Sequence, residues 1–168
     1  MTSTAMVTRG AMRFLVELGY APLAEVSLTN GRRADIVSLD RGGRCIIVEV
    51  KSGLADFRSD NKWRQYLDYC EEFYFAVDMS FPQEVLEENN SLPGLTGVIV
   101  ADAFGAEIIR PACGRTVNAA RRRALALKMA RVGAMRLSGG VSGMDRGQAA
   151  GRPTLNPEMP ASSSRNHF

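Results

Sequence analysis

The feature that most constrains the fold is the apolar run Cys45-Ile-Ile-Val-Glu-Val50, which Lys51 follows. Its β-branched residues are typical of a strand, and a run without strict alternation indicates a strand that is covered on both faces. A second β-rich segment, 33–39, precedes it, and Gly42-Gly43 between the two suits a tight turn. The sequence therefore predicts an antiparallel hairpin whose second strand lies at the centre of a sheet.

Patterns on both sides of this hairpin complete the predicted fold. Apolar residues over 7–18 recur at helical spacing, and Gly19 follows where the helix would end. The other expected elements are a short strand over 23–28, a helix over 59–72, a strand over 73–77, a short helix over 83–88 and a hairpin over 97–110. The strand-helix-strand order over 44–77 favours a parallel pairing. The fold class is therefore α/β (α+β), with a mixed central sheet flanked by helices.

The C-terminal part differs from the rest in charge and in composition. Seven of the 21 Lys and Arg residues lie over 111–144, where no Asp or Glu occurs. Asn118 can cap a basic helix over about 118–137. The residues expected on its buried face are Leu127, Ala130, Ala134 and Leu137. Residues 138–168 are rich in Gly, Ser and Pro, so we expect one domain over 1–137 and a disordered tail.

Composition argues against several kinds of site. Cys45, Cys70 and Cys113 are widely spaced and form no CxxC pair, so neither a disulfide framework nor a cysteine zinc site is indicated. The one histidine, His167, lies near the end of the chain, which disfavours histidine-based triads and metal sites. We see no secretory signal and no apolar run that could span a bilayer, and we expect a cytoplasmic protein without membrane association. Catalysis would then depend on carboxylates and lysine.

Charged residues stand at the end of the predicted central strand. Glu49 and Lys51 are two residues apart and project from the same face, and the hairpin would bring Asp35 beside them. Such oxygen ligands suit Mg²⁺, with the main-chain carbonyl of Val50 as a further ligand. The ion would polarise a phosphoryl group, while Lys51 would orient water or offset charge in the transition state. The alternative is an exposed charged stripe, which a buried strand disfavours because isolated charges there are costly.

These residues resemble the PD-(D/E)XK nuclease superfamily and, more closely, the MmcB-like DNA-repair endonucleases. The resemblance covers roughly 6–111 and rests on Gly31-Arg32-Arg33-Ala34-Asp35, Glu49-Val50-Lys51-Ser52, Asp56-Phe57 and the segment 62–77. It implies a restriction-endonuclease-like core, with Asp35 and Glu49 as metal ligands and Lys51 as the catalytic lysine. Ala34 replaces the proline of the motif. The implied cofactor is Mg²⁺, with Mn²⁺ as a substitute, and the implied partner is DNA, with no small organic cofactor.

Further candidates for the site come with this resemblance. Gln65 and Tyr69 resemble the QxxxY element of RecB-like members, in which both side chains face the metal site or the nucleic acid. Core packing is the alternative for that pair. An additional acid from the N-terminal region would be Glu25, with Glu17 as the alternative.

Basic, acidic and aromatic residues near the motif have two interpretations each. Contacts with DNA phosphates are predicted for Arg32, Arg33, Arg121, Arg122 and Arg123, and pairing with the acidic body is the alternative. Asp56 and Asp60 would either tune the site or make loop and capping contacts. Trp63 and Tyr66 would either stack on bases or belong to the core.

The leading functional hypothesis is a Mg²⁺-dependent DNA endonuclease, and its role in DNA repair comes from the resemblance. One alternative is a catalytically silent module that binds nucleic acid or acts as a scaffold. Another is a hydrolase of RNA or of a different phosphate substrate. The intact set of Asp35, Glu49 and Lys51 favours catalysis, because a decayed site usually lacks at least one such residue.

Overall fold

The computed structural model describes residues 3–139, and its central feature is a six-stranded sheet whose strands lie in chain order. The strands are β1 (Ala21–Ser27), β2 (Arg33–Leu39), β3 (Cys45–Val50), β4 (Glu72–Val77), β5 (Gly97–Ala101) and β6 (Ala106–Arg110). β3 and β4 are parallel, as are β4 and β5, and the remaining neighbours are antiparallel. The mixed sheet flanked by helices is confirmed, and so is the antiparallel hairpin with β3 inside the sheet.

Helix α1 (Ser3–Glu17) covers one face of the sheet, as its apolar spacing predicts. Gly19 follows it with a φ of 86°, a left-handed conformation that commonly ends a helix. Gly10 allows α1 to approach the β5–β6 turn, since a Cβ at this position would lie 2.0 Å from the carbonyl oxygen of Asp102. The N-terminal helix is therefore fixed against both the sheet and its far hairpin.

The opposite face is covered by an aromatic layer from the β3–β4 connection. This connection holds α2 (Leu54–Ser59) and a 3₁₀ helix (Lys62–Tyr69), so the single helix predicted over 59–72 is wrong. Asp60 has extended backbone angles between the two pieces, with φ −98° and ψ 109°. Trp63, Tyr66 and Tyr69 recur at the three-residue period of a 3₁₀ helix, and all are buried. Trp63 and Tyr66 therefore belong to the core.

Helix α3 (Ala119–Leu137) begins at its predicted cap, because the Asn118 side chain accepts hydrogen bonds from the backbone N–H groups of residues 120 and 121. The face predicted to be buried is wrong: Leu127 is 58% exposed and Leu137 is 91% exposed, whereas Leu125 and Met129 are buried. Ala130 and Ala134 are also exposed. The reason is that α3 packs mainly against β1 and the first 3₁₀ helix, so only a narrow stripe of it meets the core.

The remaining predictions concern the short helix over 83–88, the cysteines, the C-terminal tail and membrane-spanning segments. The helix predicted over 83–88 is a 3₁₀ helix, Gln83–Glu87, and another 3₁₀ turn follows at Asn89–Ser91. Cys45 and Cys70 are buried free thiols, and Cys113 is exposed. The predicted tail over 138–168 lies, from residue 140 onward, outside the described residues. Between residues 3 and 139, no helix has the length and apolar character needed to cross a membrane.

Candidate functional site

Three acidic residues lie in one row across β1, β2 and β3. The β2–β3 register places Asp35 opposite Glu49, one step beyond the last paired residues. The β1–β2 register places Asp35 opposite Glu25 on its other side. Like charges that face each other across a sheet are unfavourable, so the row requires a cation, a proton or a turned side chain.

Asp35 lies at the junction of β2 and β3. Its Oδ2 accepts a hydrogen bond of 2.8 Å from the backbone N–H of Val50. Burial raises the pKa of Asp35, although this hydrogen bond and the charge of Lys51 oppose the rise. The N–H and C=O groups of a strand residue lie on the same edge, so the carbonyl of Val50 also faces the Asp35 side. That is the position a main-chain ligand from Val50 would need.

Glu49 is buried, with 7% of the residue exposed. Its Oε1 accepts a hydrogen bond of 3.3 Å from Lys51 Nζ, but its Oε2 is buried without a hydrogen-bond partner among residues 3–139. Burial, together with the charge of Asp35, raises the pKa of Glu49 to about 8. An unsatisfied buried carboxylate oxygen is unfavourable, so this atom is available to a ligand.

Lys51 is also buried, with 2% of the residue exposed, and it has two carboxylate partners. Its Nζ lies 2.5 Å from Asp60 Oδ2 and 3.3 Å from Glu49 Oε1. Burial alone would lower the pKa of Lys51, but the hydrogen bond to Asp60 and the charge of Glu49 outweigh it and raise the pKa. The lysine is therefore held as a charged ammonium group with little access to solvent.

Asp60 joins the site from the break in the crossover connection. While Oδ2 binds Lys51, Oδ1 accepts a hydrogen bond of 2.7 Å from the backbone N–H of Lys62. Partial burial would raise the pKa of Asp60, yet the hydrogen bond from Lys51 lowers it. Asp56 differs, because it accepts hydrogen bonds from the backbone and hydroxyl of Ser52 and so has a loop role. The turn-forming pair Asp60-Asn61 was the sequence signal for the helix break.

The predicted partnership of Gln65 and Tyr69 is wrong. Residues four apart do not share a face in a 3₁₀ helix, whose period is three. Gln65 is exposed, and its side chain accepts a hydrogen bond of 3.0 Å from Arg32 Nε. Tyr69 is 8% exposed, hydrogen-bonds Thr29 through its hydroxyl, and lies with its ring beneath the Arg121 guanidinium.

The other arginines with a predicted role in DNA binding divide into engaged and free side chains. Arg33 lies 3.7 Å from Glu25, and both side chains are largely exposed. Arg121 donates to the carbonyl of Asp68, and Arg122 forms an ion pair of 2.6 Å with the buried Glu71. Arg123 is exposed and has no polar partner within the part of the chain that the structure describes.

The carboxylates available for a metal are Asp35 and Glu49. Among residues 3–139, no group of three or more His, Cys, Asp or Glu side chains is placed to hold an ion by itself. Glu25 is turned towards Arg33, and Glu17 lies exposed at the end of α1. Mg²⁺ is commonly bound by one or two carboxylates, with water and substrate phosphate completing its shell. The two carboxylates and the unpartnered Glu49 oxygen fit such an ion.

Fold and site together define an α+β protein with a buried carboxylate–lysine cluster at the end of a central strand. The chain belongs to the MmcB-like DNA repair protein family, whose model matches residues 1–142. A solved structure, the SPO1766 protein of unknown function from Silicibacter pomeroyi, is 36% identical to this chain, with a TM-score of 0.75. That match covers 83% of this chain and 91% of the other. No curated protein matches the sequence. Family membership indicates a role in DNA repair.

Proposed function

We propose that this protein is a metal-dependent endonuclease that hydrolyses phosphodiester bonds of DNA during repair. The observation that carries the proposal is the buried Glu49 oxygen that lacks a partner, beside Asp35 and the charged Lys51. A purely structural cluster would give each buried carboxylate oxygen a hydrogen bond or an ion pair, whereas Glu49 Oε2 has neither within residues 3–139. The family's link to DNA repair supports DNA as the substrate.

In this proposal, Asp35, Glu49 and the carbonyl of Val50 hold the ion. When bound, Mg²⁺ or Mn²⁺ would polarise the phosphoryl group and lower the pKa of a coordinated water. Lys51 keeps a positive charge at Nζ, where it can orient the water or offset the charge that grows on the phosphate in the transition state. Because Asp60 is a second partner, Lys51 retains a carboxylate contact when Glu49 binds the ion.

The DNA-binding surface in this proposal includes the free cations of α3. Arg123, Lys128 and Arg131 have no polar partner among the described residues, whereas Arg121 and Arg122 are engaged within the protein. Free cations release counterions when they meet phosphates, which gives binding its salt dependence. Replacing Arg123 and Arg131 with alanine should therefore flatten the salt dependence of DNA binding. An unchanged salt dependence would show that α3 is not part of the DNA-binding surface.

The central test is nicking of a supercoiled plasmid and cleavage of branched DNA with Mg²⁺ or Mn²⁺. We expect activity from the wild type and none from Glu49→Gln, which keeps the shape of the side chain and removes its charge. Glu107→Gln on the exposed side of β6 is the matched control and should retain full activity. A wild type that is inert on every DNA and RNA substrate would contradict the proposal and favour a binding module.

A further inference from the structure

An open cavity of about 590 Å³ lies between α1, β1 and the last turn of α3. Asp35 forms part of its wall, and Glu25, Arg9 and Arg136 are also among its lining residues. Asp35 is half-buried, whereas its partners Glu49 and Lys51 are almost fully buried. Glu49 and Lys51 do not line the cavity, so it is a route by which a substrate can approach the proposed metal site from the side of Asp35.

The two arginines of this cavity differ in their bonding. Arg136 is fixed, because its guanidinium donates hydrogen bonds of 2.5 Å and 3.1 Å to the carbonyls of Ala24 and Glu25. Arg9 is exposed on α1 and has neither an ion pair nor a hydrogen bond within residues 3–139. A free guanidinium beside a site for a phosphodiester is suited to bind a phosphate group.

The β1 wall of the cavity has an unusual backbone. Glu25 has a φ of 52°, a left-handed conformation that is uncommon for residues other than glycine. The β1–β2 ladder nevertheless continues in the same register on both sides of it. Arg136 binds the carbonyl of Glu25 and so helps to hold this shape. Strained residues of this kind concentrate at ligand sites, where the surrounding structure maintains them.

We propose that this cavity admits an unpaired nucleic-acid strand, so that a phosphodiester meets Asp35 while Arg9 binds a neighbouring phosphate. This inference rests on the proposed nuclease function. The volume lies within the range of roughly 300–1,000 Å³ that is typical of ligand pockets. Asp35 is half-buried in the wall of the cavity, so a single strand can enter and bring its phosphodiester there, whereas base pairing keeps the backbone of a duplex outside. The substrate class is therefore single strands, flaps and frayed ends.

The first experiment measures binding without cleavage, in EDTA. Labelled single-stranded, forked and blunt duplex DNA of one sequence are titrated with the wild type, Arg9→Ala, Arg9→Lys and Arg13→Ala. Arg13 lies on the same helix but donates to the carbonyl of Phe104, away from the cavity. We expect Arg9→Ala to weaken single-strand binding about tenfold and to reduce the log–log salt slope by about 0.7, the value for one phosphate contact. Arg9→Lys should keep the slope, and Arg13→Ala should bind like the wild type.

The second experiment blocks the cavity without changing its charge. Thr4 is exposed in the lining, and Thr4→Trp should reduce cleavage of a single-stranded flap by about tenfold or more. Thermal melting checks that the variant is folded. A wild type that cuts blunt duplex as well as flaps, or an Arg9→Ala protein that binds single strands normally, would overturn the cavity proposal alone. A wild type that cuts nothing with Mg²⁺ or Mn²⁺ would instead overturn the nuclease function.

Discussion

Two buried carboxylates lie at opposite ends of β3, and they differ in how they are satisfied. At the start of the strand, Glu71 Oε2 accepts a hydrogen bond of 2.7 Å from the backbone N–H of Cys45, and its Oε1 lies 2.6 Å from Arg122 of α3. At the end of the strand, Glu49 meets Lys51 through one oxygen and leaves the other without a partner.

The difference distinguishes a structural contact at Glu71 from the candidate ligand site at Glu49, although both are built from the same residue types. Glu71 Oε2 accepts a hydrogen bond, and Oε1 is in an ion pair with Arg122 although it makes no hydrogen bond of good geometry within residues 3–139. The backbone carbonyl of Glu71 also accepts a hydrogen bond from the N–H of Arg115, so this cluster fastens the chain before α3 and α3 itself to the sheet. At the other end, Asp35 adds a second negative charge opposite Glu49. A buried ion pair is by itself weak evidence for either role, so the satisfaction of each oxygen is the more informative property.

Asp35→Asn gives, together with Glu49→Gln, the largest expected effect, and it acts only at the end of β3 that carries Glu49. Cleavage with Mg²⁺ should fall at least about a hundredfold, because a charged ligand of the site is lost. Without metal, the free energy of unfolding should hold or rise, since asparagine can still accept from Val50 and no longer repels Glu49. Rate measurements and thermal melts with and without Mg²⁺ test this, and wild-type cleavage by a folded variant would refute the assignment.

Arg122→Ala should lower stability instead of cleavage, because it acts at the start of β3, where Arg122 is paired with Glu71. It leaves Glu71 buried without its counter-charge, and we expect a loss of about 2–3 kcal/mol in the free energy of unfolding. That estimate is below the value for a fully buried pair because the Arg122 side chain is 36% exposed. Urea unfolding is the measurement, with Arg123→Ala as a control that should change stability by less than about 0.5 kcal/mol. Equal stability of the two variants would show that the ion pair between Glu71 and Arg122 contributes nothing to the free energy of unfolding.

Asp60→Asn should have an intermediate effect that passes through Lys51. Asparagine binds the ammonium group more weakly, so Lys51 should shift towards Glu49 and compete with the metal. We expect cleavage to fall about tenfold, with a higher Mg²⁺ requirement. In a Lys51→Ala background the same change should add little, which a double-mutant cycle measures. Asp56→Asn is the matched control, and additive losses in the cycle would assign Asp60 a purely structural role.

The smallest expected effect is the pH dependence of stability without metal. The pKa of Glu49 is raised from 4.5 to about 8, so the folded protein retains a proton that the unfolded chain releases. The stability that this group contributes is fully present below pH 4.5 and is lost as the pH rises through about 8. The Glu49→Gln variant should lack this part of the fall in stability with rising pH. The measurement is thermal melting in EDTA at a series of pH values from acidic to mildly alkaline. Parallel slopes for the two proteins would contradict the burial and charge argument.

Local patterns in the sequence determined much of the fold and the composition of the site. The bounds predicted for β2 match the structure, as does the cap of α3 at Asn118, because alternation, turn glycines and capping side chains act over a few residues. The approach of Asp35 to the Glu49–Lys51 strand also follows from a short hairpin. These features depend on neighbours in the chain, so the sequence shows them directly.

The tertiary structure alone decided which charges meet and which helix face is buried. Arg122 resembles Arg121 and Arg123 in sequence, but it binds Glu71, fifty-one positions away. The carboxylate of Asp60, between α2 and the first 3₁₀ helix, binds Lys51, which follows β3. Leu125 rather than Leu127 is buried because α3 packs mainly against β1 and the first 3₁₀ helix along a narrow stripe. Each outcome depends on the position of a distant partner, and the energy of bringing charges out of water is settled only when that partner is in place.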